Sequence, residues 1–150
     1  MTAPTITPTG RATRVARLLA DAPAELAARG WHRGDHVEEA TGAVDLSGAL
    51  RLAAGVHPYD LPDDPAALQA LCDAEDELTF ELGGNPTSID AGEYLAAWND
   101  HPARTAADVL DLLERTHRAI TAATPGSMTP AETRLSEASF SRSITAEPGR

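Results

Sequence analysis

The sequence predicts a mainly α fold, a single small domain of four to five helices with at most one short β-hairpin near residues 35–46. Apolar residues recur at helical spacing in several segments. Alanine and leucine, which favour helix, supply much of the apolar content, while aromatic residues make up only 4% of the chain. At 150 residues one domain is expected. We expect it to cover residues 11–124, between a disordered lead at 1–10 and a disordered tail at 125–150.

The first predicted helix runs from Arg11 to Arg29. Its apolar residues follow the helical repeat, at Val15, Leu18, Leu19, Ala22 and Leu26. Pro23 lies inside this run, which predicts either one kinked helix or two short ones. After it, Val37 and Val44 predict two short strands turned around Gly42.

The later predicted helices begin at capping residues. Asp45 or Ser47 is expected to cap a short second helix, and Asp64, followed by proline, opens the third. A fourth helix is expected to start at Thr87 or Ser88. Thr105, with an aspartate three residues on, begins the last and clearest helix.

The middle of the chain, between Arg51 and Arg104, is an acidic block without lysine or arginine. Its eleven acidic residues are Asp60, Asp63, Asp64, Asp73, Glu75, Asp76, Glu77, Glu81, Asp90, Glu93 and Asp100. They account for the formal net charge of -11. General nucleic-acid binding is not expected, because phosphate contacts need a basic face. The block predicts a contact for a basic protein, an imitation of nucleic acid, or a solvated surface that aids solubility.

Bulk features predict a cytoplasmic protein. No apolar run approaches the roughly 20 residues that span a bilayer, and residues 1–10 lack the apolar region of a secretory signal. Cys72 is the only cysteine, which fits a reducing compartment; it is expected in the core. All twelve basic residues are arginine, a composition typical of an actinobacterial-type source.

Residues 98–105, Trp-Asn-Asp-His-Pro-Ala-Arg-Thr, form the densest local pattern. As structure they predict a joint between two helices: Trp98 packs inward, Asp100 holds the turn and pairs with Arg104, Pro102 stops the first helix and Thr105 caps the second.

As a functional site, the same segment would gather Asn99, Asp100 and His101 as convergent polar groups in a pocket.

Together with Gly30-Trp31 and Gly48-Ala49-Leu50, this segment resembles a family of small, mostly actinobacterial proteins of unknown function. The matching positions are Trp31, Gly48, Ala49, Leu50, Trp98, Asn99, Asp100, Pro102, Arg104, Thr105 and Val109. The resemblance spans roughly residues 12–120 and implies a fold without implying an activity. The family has a cysteine where this chain has Asp45; if that cysteine is a nucleophile, this chain lacks it.

The third predicted helix carries two further candidates. Glu75 projects onto the apolar side, where a carboxylate must be paired or protonated. It is expected either to pair with Arg51 or Arg104, or to be a site carboxylate with a raised pKa.

On the opposite side of that helix, Phe80 lies among acidic residues that are expected to point outward, namely Asp73, Asp76, Glu77 and Glu81. This side is the predicted contact for a basic partner; a helix that frays or bends before Phe80 is the alternative.

No metal site or cofactor is predicted. His32, Asp35 and His36 have ligand-like spacing, but Gly34 interrupts a helical arrangement, so exposed loop histidines are the expectation. Ser47 lacks a GxSxG context. The leading hypothesis is a non-catalytic interaction or regulatory protein with an acidic face. The rival is a small enzyme or ligand-binding protein that uses residues 99–101 and Glu75.

Overall fold

The structure, a computed structural model, describes residues 8–123 of the chain, and these residues confirm the predicted mainly α domain. They form five helices: α1 (Pro8–Arg29), α2 (Leu46–Ala53), α3 (Pro65–Glu81), α4 (Ala91–Asp100) and α5 (Ala106–Ala123). The predicted tail at 125–150 and most of the predicted lead lie outside the described residues. Helix α1 begins three residues earlier than predicted and continues unbroken through Pro23.

Three of the predicted helix starts are confirmed, and each has the expected capping bond. The Asp45 side chain accepts a hydrogen bond from Gly48 N, and Asp64 accepts one from Ala67 N. Thr105 and Asp108 exchange bonds: Asp108 N donates to Thr105 Oγ1 at 3.2 Å, and Thr105 N donates to Asp108 Oδ2 at 2.9 Å. Each cap satisfies a backbone group that the first helical turn leaves without a partner.

The start of α4 was predicted wrongly at Thr87 or Ser88. The helix begins at Ala91, and Asp90 caps it by accepting a bond from Glu93 N. Asn85 is the reason: its side chain accepts bonds from the backbone N and hydroxyl of Thr87 and donates to Ser88, so this stretch forms a turn.

The optional hairpin near residues 35–46 does not form as strands, although the expected pairing of Val37 with Val44 is present as a single antiparallel bridge. Within residues 8–123 there is no strand, only two isolated bridges that pair Val44 with Trp31 and with Val37. Val44 is fully buried and its N–H donates to Gly30 O, so this segment holds the end of α1 next to the start of α2.

Helix α1 is the centre of the domain and packs against α2, α3 and α5, while α4 packs against α2 and α3. The fully buried apolar side chains are mainly leucines, including Leu19, Leu50, Leu78, Leu95 and Leu113. Trp31 and Trp98 pack partly buried at the edge of this core. None of the helices in residues 8–123 is long and apolar enough to cross a membrane.

Candidate functional site

The joint between α4 and α5 is held from inside by Asn99, which is fully buried. Asn99 Oδ1 accepts hydrogen bonds from Trp31 Nε1 at 2.8 Å and from Leu46 N at 3.1 Å. Its Nδ2 donates to His32 O at 3.2 Å and to Asp100 Oδ1 at 3.0 Å. One side chain therefore ties the end of α4 to the loop after α1 and to the first turn of α2.

The neighbours of Asn99 are also engaged within the protein. Asp100 Oδ1 accepts a bond from Gly34 N at 2.8 Å, and the exposed His101 accepts one from Ala103 N through Nδ1. Asn99 and Asp100 meet, but their bonds run into the protein instead of converging on an open pocket with His101.

The predicted pairing of Arg104 with Asp100 is wrong. Arg104 Nε donates to Trp98 O at 2.8 Å, and its guanidinium lies 4.0 Å from the centroid of the Trp98 ring. The side chain therefore closes over the end of α4, where stacking on an indole stabilises a cation. Pro102 lies in the exposed turn between the helices.

The glycine of the Gly-Ala-Leu segment has a steric role. A Cβ at Gly48 would lie 2.3 Å from the carbonyl oxygen of His36, so only glycine lets α2 approach this loop. The same contact brings His36 to the buried Asp45, whose Oδ2 lies 3.0 Å from His36 Nδ1. Burial raises the pKa of Asp45, while the bonds from Gly48 and His36 oppose that rise. No spacing in the sequence indicated this pair.

Glu75 is partly buried, and burial raises its pKa, with the charge of Arg51 as the main opposing influence. Of its two predicted partners, Arg51 is the one whose charge reaches it, since Arg104 stacks on Trp98. Buried Nε and Nη1 of Arg51 have no hydrogen-bond partner within the described residues. The two side chains thus influence each other electrostatically without a direct bond.

Asp73 is not on the outward side of α3, contrary to the prediction. Its side chain is only 4% exposed and accepts bonds from Arg11 Nε and Nη2, at 2.7 and 2.9 Å, and from Gln69 Nε2 at 3.0 Å. Arg11 lies on α1, which packs against α3. The packing of these two helices therefore covers a carboxylate that helical spacing alone places outside.

Two further α3 residues differ from expectation. Glu81 is partly buried and lies 3.4 Å from Arg115 Nη1 on α5, so its charge is compensated across a helix contact. Cys72, predicted in the core, is exposed. The buried side of α3 runs through Ala70, Ala74 and Leu78, and that direction leaves Cys72 outside.

Asp76 and Glu77 are partly buried, like Glu81, and lie next to the exposed Phe80. We call Asp76, Glu77 and Phe80 the α3 patch. Phe80 is 69% exposed, the largest value among the exposed large hydrophobic residues in the described part of the chain. A shallow cavity of about 290 Å³ next to it is lined by the three patch residues together with Arg11 and Pro86. The pKa of Asp76 is raised, first by partial burial and then by the charge of Asp73. The helix does not fray before Phe80, because α3 continues to Glu81.

The loop histidines are engaged separately. His32 Nδ1 lies 3.5 Å from Glu38, whereas His36 contacts Asp45. Within residues 8–123, no three histidine, cysteine or acidic side chains are grouped so that they could hold a metal ion.

A known protein family matches this chain. The model of the DUF6197 family, described as a family of unknown function, matches residues 10–119. This range contains both the joint and the α3 patch. Neither the curated proteins nor the solved structures include a significant match.

Proposed function

We propose that this chain, which belongs to the DUF6197 family of unknown function, is a non-catalytic interaction protein of the cytoplasm. It presents the α3 patch to a basic partner. Phe80 supplies the apolar anchor, and Asp76 and Glu77 select a positively charged surface beside it.

The exposure of Phe80 is the observation that carries the proposal. A phenyl ring left 69% exposed on a well-formed helix adds no core packing. Aromatic side chains are common binding hot spots, and acidic neighbours steer a basic surface toward them. Arg11, the cation next to the patch, is already engaged by Asp73, so it neutralises the patch only partly.

The distribution of charge in the acidic block also supports a basic partner. From residue 52 to residue 103 the chain has no lysine or arginine. Arginines from outside the block form ion pairs with two of its acidic residues, Arg11 with Asp73 and Arg115 with Glu81. Asp76 and Glu77 have no such bond or ion pair in the described part of the chain and are left to act on a partner.

The rival function, an enzyme or ligand-binding protein centred on Asn99, Asp100 and His101, has weaker support. All four bonds of the Asn99 amide go to atoms of the protein itself. Opening this group to a ligand would leave buried donors and acceptors without partners, which costs free energy for each of them.

Photocrosslinking tests the proposal directly. A photoreactive phenylalanine analogue replaces Phe80, and the protein is irradiated in lysate of its native host. We expect one predominant crosslink to a partner that presents a basic surface, reduced by high salt because screened charges steer less well. The matched control carries the same analogue at Leu110, an exposed apolar residue on α5.

A second arm uses Asp76→Asn with Glu77→Gln, which removes the two charges and keeps the shapes. The crosslink from position 80 should weaken and lose its salt dependence. Equal crosslinking from positions 80 and 110, or a crosslink unaffected by both salt and neutralisation, would reduce the acidic surface to a solubility feature.

A further inference from the structure

A groove with opposite charge lies on the same side of the domain as the α3 patch. It is a cavity of about 250 Å³ with an apolar floor that includes Leu18, Ala67 and Ala70, and Arg14 and Arg17 of α1 form its rim. Asp64 is the acidic residue on its lining, and its carboxylate already accepts the capping bond from Ala67 N.

Arg14 and Arg17 are the unusual part of this groove. Both are exposed, and in the described structure neither makes a hydrogen bond or an ion pair. Other arginines on α1 are engaged, Arg11 by Asp73 and Arg29 by Glu25. In a chain with a net charge of -11, two unengaged cations beside an apolar groove point to an acidic occupant.

The groove and the patch lie at two ends of one continuous surface. A smaller cavity of about 190 Å³ adjoins the groove through Arg14 and Ala70, and Arg11 and Asp73 also line it. Arg11 in turn lines the cavity at the α3 patch. The surface thus passes from cationic groove to neutral Arg11–Asp73 pair to acidic patch. Ala67 and Glu77 are ten residues apart on α3, which corresponds to about 15 Å.

We propose that the occupant of the groove is the α3 patch of a second copy of this chain. Phe80 of each copy enters the groove of the other, and Asp76 and Glu77 meet Arg14 and Arg17. The inference rests on the proposed function, because it identifies the basic partner surface that the patch binds.

Two-fold symmetry follows from the order of charges along the surface. In an isologous interface the same patch on both copies is self-complementary. A two-fold axis near the Arg11–Asp73 pair brings both cationic ends against both acidic ends at once. A head-to-tail arrangement would leave one groove and one patch open at its ends and would continue into longer assemblies.

Sedimentation velocity across a range of protein concentrations tests the dimer. We expect a monomer–dimer equilibrium that high salt shifts toward monomer. Phe80→Ala should raise the dissociation constant at least about tenfold. Leu110→Ala, which removes an exposed apolar side chain on α5, should leave it unchanged.

Charge reversal provides the sharper test. Arg14→Glu with Arg17→Glu should be monomeric, and so should Asp76→Arg with Glu77→Arg, each with an unchanged circular dichroism spectrum. Mixing these two variants should restore a one-to-one complex, because each reversed end then meets a complementary end. Arg118→Glu, on α5, should dimerise like the unaltered protein.

Three results would overturn the dimer: a monomer at every concentration, assemblies larger than two copies, or reversed variants that stay apart when mixed. If the chain is monomeric but position 80 still crosslinks to a different, basic protein, only the dimer is contradicted. A position 80 that crosslinks neither to a second copy nor to another protein would defeat the proposed function as well.

Discussion

The joint around Asn99 and the α3 patch use polar side chains in opposite ways. At the joint, four hydrogen bonds of one buried amide connect three separate parts of the chain. At the patch, Asp76 and Glu77 lie beside Phe80, which is 69% exposed. The first region is the richest in recognisable motif, and the second has none.

The difference teaches that a dense motif can serve internal hydrogen bonding. A buried amide tolerates few replacements because each unmatched donor or acceptor costs free energy. A surface patch meets no such constraint from the fold, so its residues form no local pattern. The four predictions below test this contrast, from the largest expected effect to the smallest.

Asn99→Ala should give the largest loss of stability. It removes the partner of Trp31 Nε1, of Leu46 N and of His32 O. Two of these bonds are only partly buried, so we expect about 1–2 kcal/mol for each unmatched group and about 3–6 kcal/mol in total. Urea unfolding measures the free energy of unfolding. Asn85→Ala, in an exposed turn, is the control and should cost less than about 1 kcal/mol. Similar losses in the two variants would show that the joint does not depend on its buried amide.

Asp73→Asn should cost about 1–2 kcal/mol, because it weakens the bonds from Arg11 to a buried carboxylate while Arg11 itself remains more than half exposed. Asp76→Asn, one turn along the same helix, should change the unfolding free energy by less than about 0.5 kcal/mol. If both replacements had the same small effect, Asp73 would belong with the patch, and the distinction between a carboxylate bonded to Arg11 and one without such a bond would be wrong.

Thr105→Ala should cost about 1 kcal/mol, since it removes the hydroxyl that accepts the bond from Asp108 N. The cap is exposed, so water can replace the lost bond, unlike at Asn99. Thermal unfolding of Thr105→Ala and Thr105→Ser separates the role of the hydroxyl from that of the methyl group, because serine keeps the hydroxyl. A serine variant as unstable as the alanine variant would assign the effect to the methyl group instead of the cap.

Glu75→Gln should change the free energy of unfolding least at any single pH. Its effect is therefore measured as a change in stability with pH. Burial raises the pKa of Glu75 above its ordinary value of 4.5. At pH values between 4.5 and the raised pKa, the folded protein therefore holds a proton that the unfolded chain has released. The free energy of unfolding therefore falls as pH rises through this interval and levels off above it. The difference between the unaltered protein and Glu75→Gln should decline over the same interval, and parallel curves would contradict the raised pKa.

Local features of the fold were predictable because they depend on neighbours in the chain. Asp64 and Thr105 cap helices through bonds to residues three positions away, and apolar spacing indicates the buried side of α1. The prediction at Thr87 and Ser88 failed for an equally local reason, since Asn85 competes for the same groups. Residues 98–105 were correctly placed at the end of one helix and the start of another.

The candidate site was only partly predictable. Phe80 and Glu77 follow from helical spacing, but Asp73 has the same spacing and is covered by Arg11, 62 positions earlier. Arg14 and Arg17 show no pattern that separates them from other exposed arginines. Their importance comes from the apolar groove that α3 forms beside them.

The sequence by itself determined the helical class, most helix starts and the acidic excess of the central block, since propensity, capping and charge are properties of nearby residues. Tertiary structure alone decided which carboxylates are covered, that Asn99 meets Trp31 across 68 positions, and that a cationic groove continues into an acidic patch. These outcomes depend on how helices pack against one another, and contacts between residues distant in the chain leave no periodic signal in the sequence.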